Sequence, residues 1–135
     1  MKKVLFLIII IVALIGGGSV YYLFNKKVRG LEKVKADFTI TSTKLYDAFE
    51  TQEQEANTKY LNKILLVEGR VDKVEIDKNY SSIILKADNA IGSGINCSFT
   101  HEVEGVTNGE MIKIKGRCQG YLMDVVLTNC NIAYE

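Results

Sequence analysis

Three cysteines and one histidine are the side chains of this 135-residue sequence best suited to covalent or metal chemistry. Cys97 shares the alternation phase of Ile95 and Phe99, Cys118 that of Ile112 and Ile114, and Cys130 that of Ile132, so all three thiols are expected to point inward from strands. In an oxidising compartment two of them can pair, and a hairpin formed by the last two strands makes Cys118 and Cys130 the disulfide candidate. Such a bridge, if unstrained, contributes on the order of 3 kcal/mol. The competing reading is three buried thiols acting as small hydrophobes. A zinc site built from Cys97, His101, Cys118 and Cys130 has the right residue types. It lacks the close ligand pair, such as C-x-x-C, that structural zinc sites present, so neither a metal nor a cofactor is expected, and His101 reads as a loop residue.

A second set is basic and aromatic. Lys113, Lys115 and Arg117 alternate along the outward face of one strand, and Tyr80 and Tyr121 lie in turns, so that together they form a candidate ligand-binding set. Basic side chains beside aromatics bind single-stranded nucleic acid through phosphate contacts and base stacking. Two observations weigh against that ligand. Glu102, Glu104, Glu110 and Asp124 are close in sequence, and residues 25–135 carry 15 basic against 16 acidic side chains, which gives no net attraction to a phosphate backbone. Nucleic acid is therefore a disfavoured partner. Enzyme signatures are missing too: there is no phosphate-cradling Gly-rich loop, no H-E-x-x-H and no G-x-S-x-G, and one histidine leaves little acid–base machinery. No catalytic residue is expected.

The elements that must position these side chains follow from hydrophobic period. A helix is expected from Ser42 or Thr43, either of which can cap it, with Leu45, Ala48, Phe49, Gln52, Ala56, Tyr60 and Leu61 on or near one face. From Ile64 the period changes to two. Leu65, Val67, Gly69 and Val71 share one phase and Val74 and Ile76 the other, which requires a bulge near Asp72 and Lys73 in a long curved strand. Further strands are expected over residues 82–87, 95–100, 112–119 and 124–133, separated by turn residues. Five short curved strands and one helix are too few for a two-sheet sandwich and suit a small closed barrel. Gly69 and Gly116, each in mid-strand, mark sharp bends or close backbone approach.

The first 24 residues are of another kind. Val4 to Phe24 contains no charged residue and is long enough, at about 1.5 Å per residue, to cross a hydrocarbon core roughly 30 Å thick. Lys2 and Lys3 precede it, Tyr21 and Tyr22 fall at interfacial positions, and Lys26, Lys27 and Arg29 follow. A cleaved signal peptide is the other reading, with Gly17-Gly18-Ser19 as the small-residue site, but the apolar run resumes after it. No cysteine lies near its end for lipid attachment. The expected organisation is a transmembrane anchor over 1–24, a juxtamembrane linker over 25–41 and one barrel domain over 42–135. A short N-terminus stays inside, placing the domain on the outer, periplasmic side of the cytoplasmic membrane.

Leu45-Tyr46-x-Ala48-Phe49, Glu53-x-x-Ala56-Asn57-x-x-Tyr60-Leu61-x-Lys63 and Val67-x-Gly69-x-Val71 together resemble the tRNA_anti-like family of bacterial OB-fold proteins. Asn96-Cys97-x-Phe99 and the run Ile114-Lys115-Gly116-x-Cys118-x-Gly120-Tyr121-Leu122-x-Asp124-Val125-Val126-Leu127-x-Asn129-Cys130 extend the similarity across roughly residues 40–134. The resemblance implies an all-β, five-stranded OB barrel preceded by a packed helix, often behind a membrane anchor or a lipoprotein signal. It implies no catalytic residues. In an OB barrel Tyr80 and Tyr121 would occupy the two loops that flank the binding face. The expected function is thus a non-enzymatic, membrane-anchored binding or interaction module of the bacterial cell envelope. Its expected partners are membrane lipid through the N-terminal helix and another envelope protein or a small ligand. The alternative is a nucleic-acid-binding OB domain tethered to the membrane.

Overall fold

The computed structural model describes residues 16–18, 30–77 and 80–134. The expected span over residues 4–24 lies outside these except for 16–18, which are helical, and among the described residues no helix is long and apolar enough to cross a membrane.

Alternation builds the barrel as expected. The strands are β1 (Phe38–Thr41), β2 (Ile64–Asp77), β3 (Tyr80–Lys86), β4 (Gly94–Phe99), β5 (Met111–Tyr121) and β6 (Val125–Ile132). Sheet order is β1-β2-β3-β4-β6-β5, and a further β2–β5 pairing closes β2 to β6 into a five-stranded barrel. Because β2 is long, its first half pairs with β5 (Leu65 opposite Gly116) and its second half with β3 (Val74 opposite Ile83). The register slips between Val71 and Lys73, where the change of hydrophobic phase required a bulge. Inward-pointing Leu65, Val67, Val71, Ile83, Leu85, Ile95, Ile114, Val125 and Leu127 fill the interior and are excluded from water. Each contributes about 1.5–3 kcal/mol.

Two features differ from the sequence reading. The helix is broken: α1 (Ser42–Thr51) and α2 (Glu53–Tyr60) meet at Gln52, whose φ of −143° and ψ of 62° are not helical. Leu45, Phe49, Ala56 and Tyr60 are buried nonetheless, so both pieces present their apolar residues to the barrel. The cap is Thr41, one residue earlier than expected, which leaves Ser42 free to turn inward and donate to the Lys86 carbonyl at 2.6 Å. The stretch read as linker also carries structure. Leu31–Lys33 form one 3₁₀ turn with Leu31 buried, and β1 runs parallel to β2 with Phe38 opposite Leu65. Asp37 fixes the register: its N–H donates to the Ile64 carbonyl and its carboxylate accepts from the Ile64 N–H at 2.8 Å. β1 thus covers the part of the β2 edge that β3 does not reach.

Candidate binding surface

The helices close one end of the barrel. Phe49 of α1 stacks on Tyr121 at 6.1 Å between ring centroids, and Tyr46 meets the same ring edge-on at 5.8 Å. The Tyr46 and Tyr121 hydroxyls share a hydrogen bond of 3.4 Å. That bond, aided by desolvation and by nearby Glu50 and Asp124, pushes the Tyr121 phenol up to about 12. Ser42, Thr43 and Asp47 of α1 bond to Lys86, Asp88 and Asn89, binding the helix to the β3–β4 loop. The start of β4, where that loop ends, is linked to the β5–β6 loop, because Gly94 N–H donates to the Asp124 carboxylate at 2.7 Å.

The two sequence-selected tyrosines are therefore far apart and unlike. Tyr80 begins β3 and is 54% exposed, whereas Tyr121 is packed between aromatic neighbours at the barrel's other end. The length of β3 between those ends is about 20 Å at strand rise. Of the two, Tyr80 is the more exposed.

The basic stripe is also placed differently from a phosphate-binding strip. Lys113, Lys115 and Arg117 do share the outward face of β5, but that strand pairs with β2 and β6, not with β3 or β4. Lys115 Nζ donates to the carbonyls of Glu32 (3.3 Å) and Val34 (3.0 Å), and Arg117 donates to the Asn62 carbonyl at 3.0 Å. With Leu31 buried alongside, two of the three cations hold the chain's own backbone against the barrel. The sequence shows the alternation of the stripe, but the carbonyls that it meets belong to residues 55 to 83 positions away.

β3 and β4 present a different surface. β1 pairs with β2, and the 3₁₀ turn packs on β5 and β6, so neither lies on these strands. Ser82, Ile84, Asn96 and Ser98 point outward, half-buried and uncharged, and Ser82 Oγ donates to Asn96 Oδ1 at 2.9 Å. Tyr80 and Lys86 stand exposed at the two ends of β3. Beside the Lys86 end, Ile91, Leu122 and Met123 are almost fully solvent-exposed.

All three cysteines are buried, as the alternation predicted, and their thiols are unbridged. In the β5–β6 ladder Cys118 stands opposite Leu127, not Cys130. His101 is exposed and packs edge-on against Phe99 at 5.9 Å. Among the described residues no group of three or more His, Cys, Asp or Glu side chains comes together to hold a metal ion.

The same barrel occurs in a solved structure from Klebsiella pneumoniae subsp. pneumoniae, a lipoprotein described provisionally as nucleic acid-binding. The two share 18% identity and superpose with a TM-score of 0.60 over 70% of this chain and 91% of that one. At that identity the likeness shows the fold alone. No curated protein matches the sequence. The tRNA_anti-like family matches residues 1–132, nearly the whole polypeptide, and with the closed barrel and its motifs in place the chain belongs to that family.

Proposed function

We propose that this chain is a non-catalytic binding module tethered to the cytoplasmic membrane by residues 4–24, with its barrel in the extracytoplasmic envelope and the outer face of β3 and β4 as its recognition surface. The observation that carries the reading is the uncharged, half-buried centre of that face, Ser82, Ile84, Asn96 and Ser98, on a barrel whose Lys115 is committed to the carbonyls of Glu32 and Val34 and whose Arg117 is committed to that of Asn62. A surface of small polar groups with one aliphatic side chain, flanked by an exposed Tyr80, suits a protein segment or a small uncharged ligand. It gives phosphates little to bind, since affinity for a nucleic-acid backbone grows with the number of cations placed against it. The anchor reading is supported by the uncharged run before the barrel and by the lipoprotein character of the Klebsiella neighbour. Reporter fusions after Glu135 test the topology: an enzyme active only outside the cytoplasm is expected to work there, and activity of a cytoplasm-only reporter overturns the placement.

A second reading, a tethered nucleic-acid-binding domain, is favoured by the description of the Klebsiella protein and by the exposure of Tyr80. It requires saturable binding of short single-stranded oligonucleotides whose affinity falls steeply with salt. The absence of such binding at low ionic strength removes it.

A further inference from the structure

We propose that Cys97 and Cys130 form a disulfide that staples β4 to β6, and that Cys118 remains a thiol. β4 and β6 run parallel, with Cys97 beside Leu127. Simple alternation would then bring Asn129, not Cys130, to the inward position. Asn129 instead has φ of 53°, and the β5–β6 register slips between Lys115 and Arg117, so one residue is inserted and Cys130 takes the inward place. Gly116 makes room for the sulfur: a Cβ there would lie 2.6 Å from Cys130 Sγ. The Cys97 thiol donates to the Ile95 carbonyl at 3.8 Å and also interacts with the Cys130 thiol, and both cysteines are excluded from water. Cys118 stands opposite Leu127 on the far side of β6 from β4.

Closure removes two protons and two electrons from the pair. An external disulfide, such as that of a thiol–disulfide exchange protein or of oxidised glutathione, accepts them and leaves as two thiols, while one Sγ–Sγ bond forms between Cys97 and Cys130. Burial raises the Cys97 thiol above the ordinary range, which suppresses the thiolate that exchange needs, so the bond closes while the barrel is folding and not after. The bond joins one strand of the proposed recognition face to β6. Its chemistry depends only on the fold, so a test in vitro separates it from the proposed location.

The test is refolding of the full-length protein in detergent in a mixture of reduced and oxidised glutathione, followed by alkylation and peptide mapping. A mass about 2 Da below the fully reduced chain, a crosslinked pair of peptides holding Cys97 and Cys130, and an alkylated Cys118 are expected. The Cys118→Ala variant keeps the crosslink, and Cys97→Ala leaves no intramolecular bridge. On reduction the wild-type thermal midpoint falls on the order of 15 °C. A bridge that contains Cys118, a mixed glutathione adduct in place of a bridge, or three alkylated thiols overturns the proposal.

Discussion

Replacing Gly69 with alanine tests how tightly α1 is seated on the barrel. A Cβ at that position would lie 2.6 Å from Ser42 Oγ, 2.8 Å from Ser42 Cβ and 3.2 Å from Leu85 Cβ. Ser42 has nowhere to move without loss. It is 4% exposed and its hydroxyl is committed to the Lys86 carbonyl at 2.6 Å. Overpacking of this size costs about 1–3 kcal/mol, and breaking one buried hydrogen bond adds about 1 kcal/mol, so Gly69→Ala is expected to lose about 2–4 kcal/mol. For a domain of this size that is a fall of roughly 10–20 °C in the thermal midpoint. Urea titrations of the wild type, Gly69→Ala, Ser42→Gly and the double variant form a cycle. Removing the Ser42 side chain relieves the clash, so the double variant should be more stable than the sum of the two single losses by at least about 1 kcal/mol. A Gly69→Ala protein within about 0.5 kcal/mol of the wild type, or strict additivity in the cycle, refutes the packing described for this contact.

Leu31→Ala should release the N-terminal segment from β5 and β6. The buried side chain is worth about 2 kcal/mol, and trypsin should then cleave after Lys33 and Lys35 several-fold faster while the barrel's unfolding midpoint changes less than in Gly69→Ala. Under reducing conditions stability should fall on the alkaline side. Burial holds Cys97 and Cys118 above the ordinary thiol value of 9.0, and the Tyr46 hydrogen bond holds Tyr121 near 12, so the folded chain keeps protons that the unfolded chain releases. The stabilisation is complete below about pH 9 and is lost as pH rises through 9 toward 12. Urea midpoints at pH 7, 9 and 10.5 check this, and a midpoint that rises with pH contradicts it.

The barrel was legible because inward residues recur with period two over β2 to β6, and a slip of one residue would turn every one of them to water. The bulge at Val71–Lys73 was visible for the same reason. β1 was not, since Phe38–Thr41 is four residues long and parallel pairing with β2 leaves no local turn to announce it. The break at Gln52 was hidden because Leu45, Phe49, Ala56 and Tyr60 keep a spacing that one uninterrupted helix would also satisfy. The candidate site fared less well. Each selected residue has the environment its alternation implied, with cysteines inside and the basic stripe outside, but their partners are set by non-local contacts. Lys115 and Arg117 meet backbone carbonyls that carry no sequence signature. Cys130 takes its inward place through an inserted residue at Asn129, whose positive φ no hydrophobic pattern reveals, and the proposed pairing with Cys97 follows from that insertion.

Site-specific photocrosslinking in living cells tests the proposed recognition surface most directly. With a photoreactive amino acid at Ser82, Ile84 or Asn96, a discrete adduct with a protein or small ligand is expected. The same group at the exposed positions Met111 or Gln119 of β5 should give none. Adducts that form from β5 and not from β3 and β4, or adducts made of nucleic acid, contradict the account.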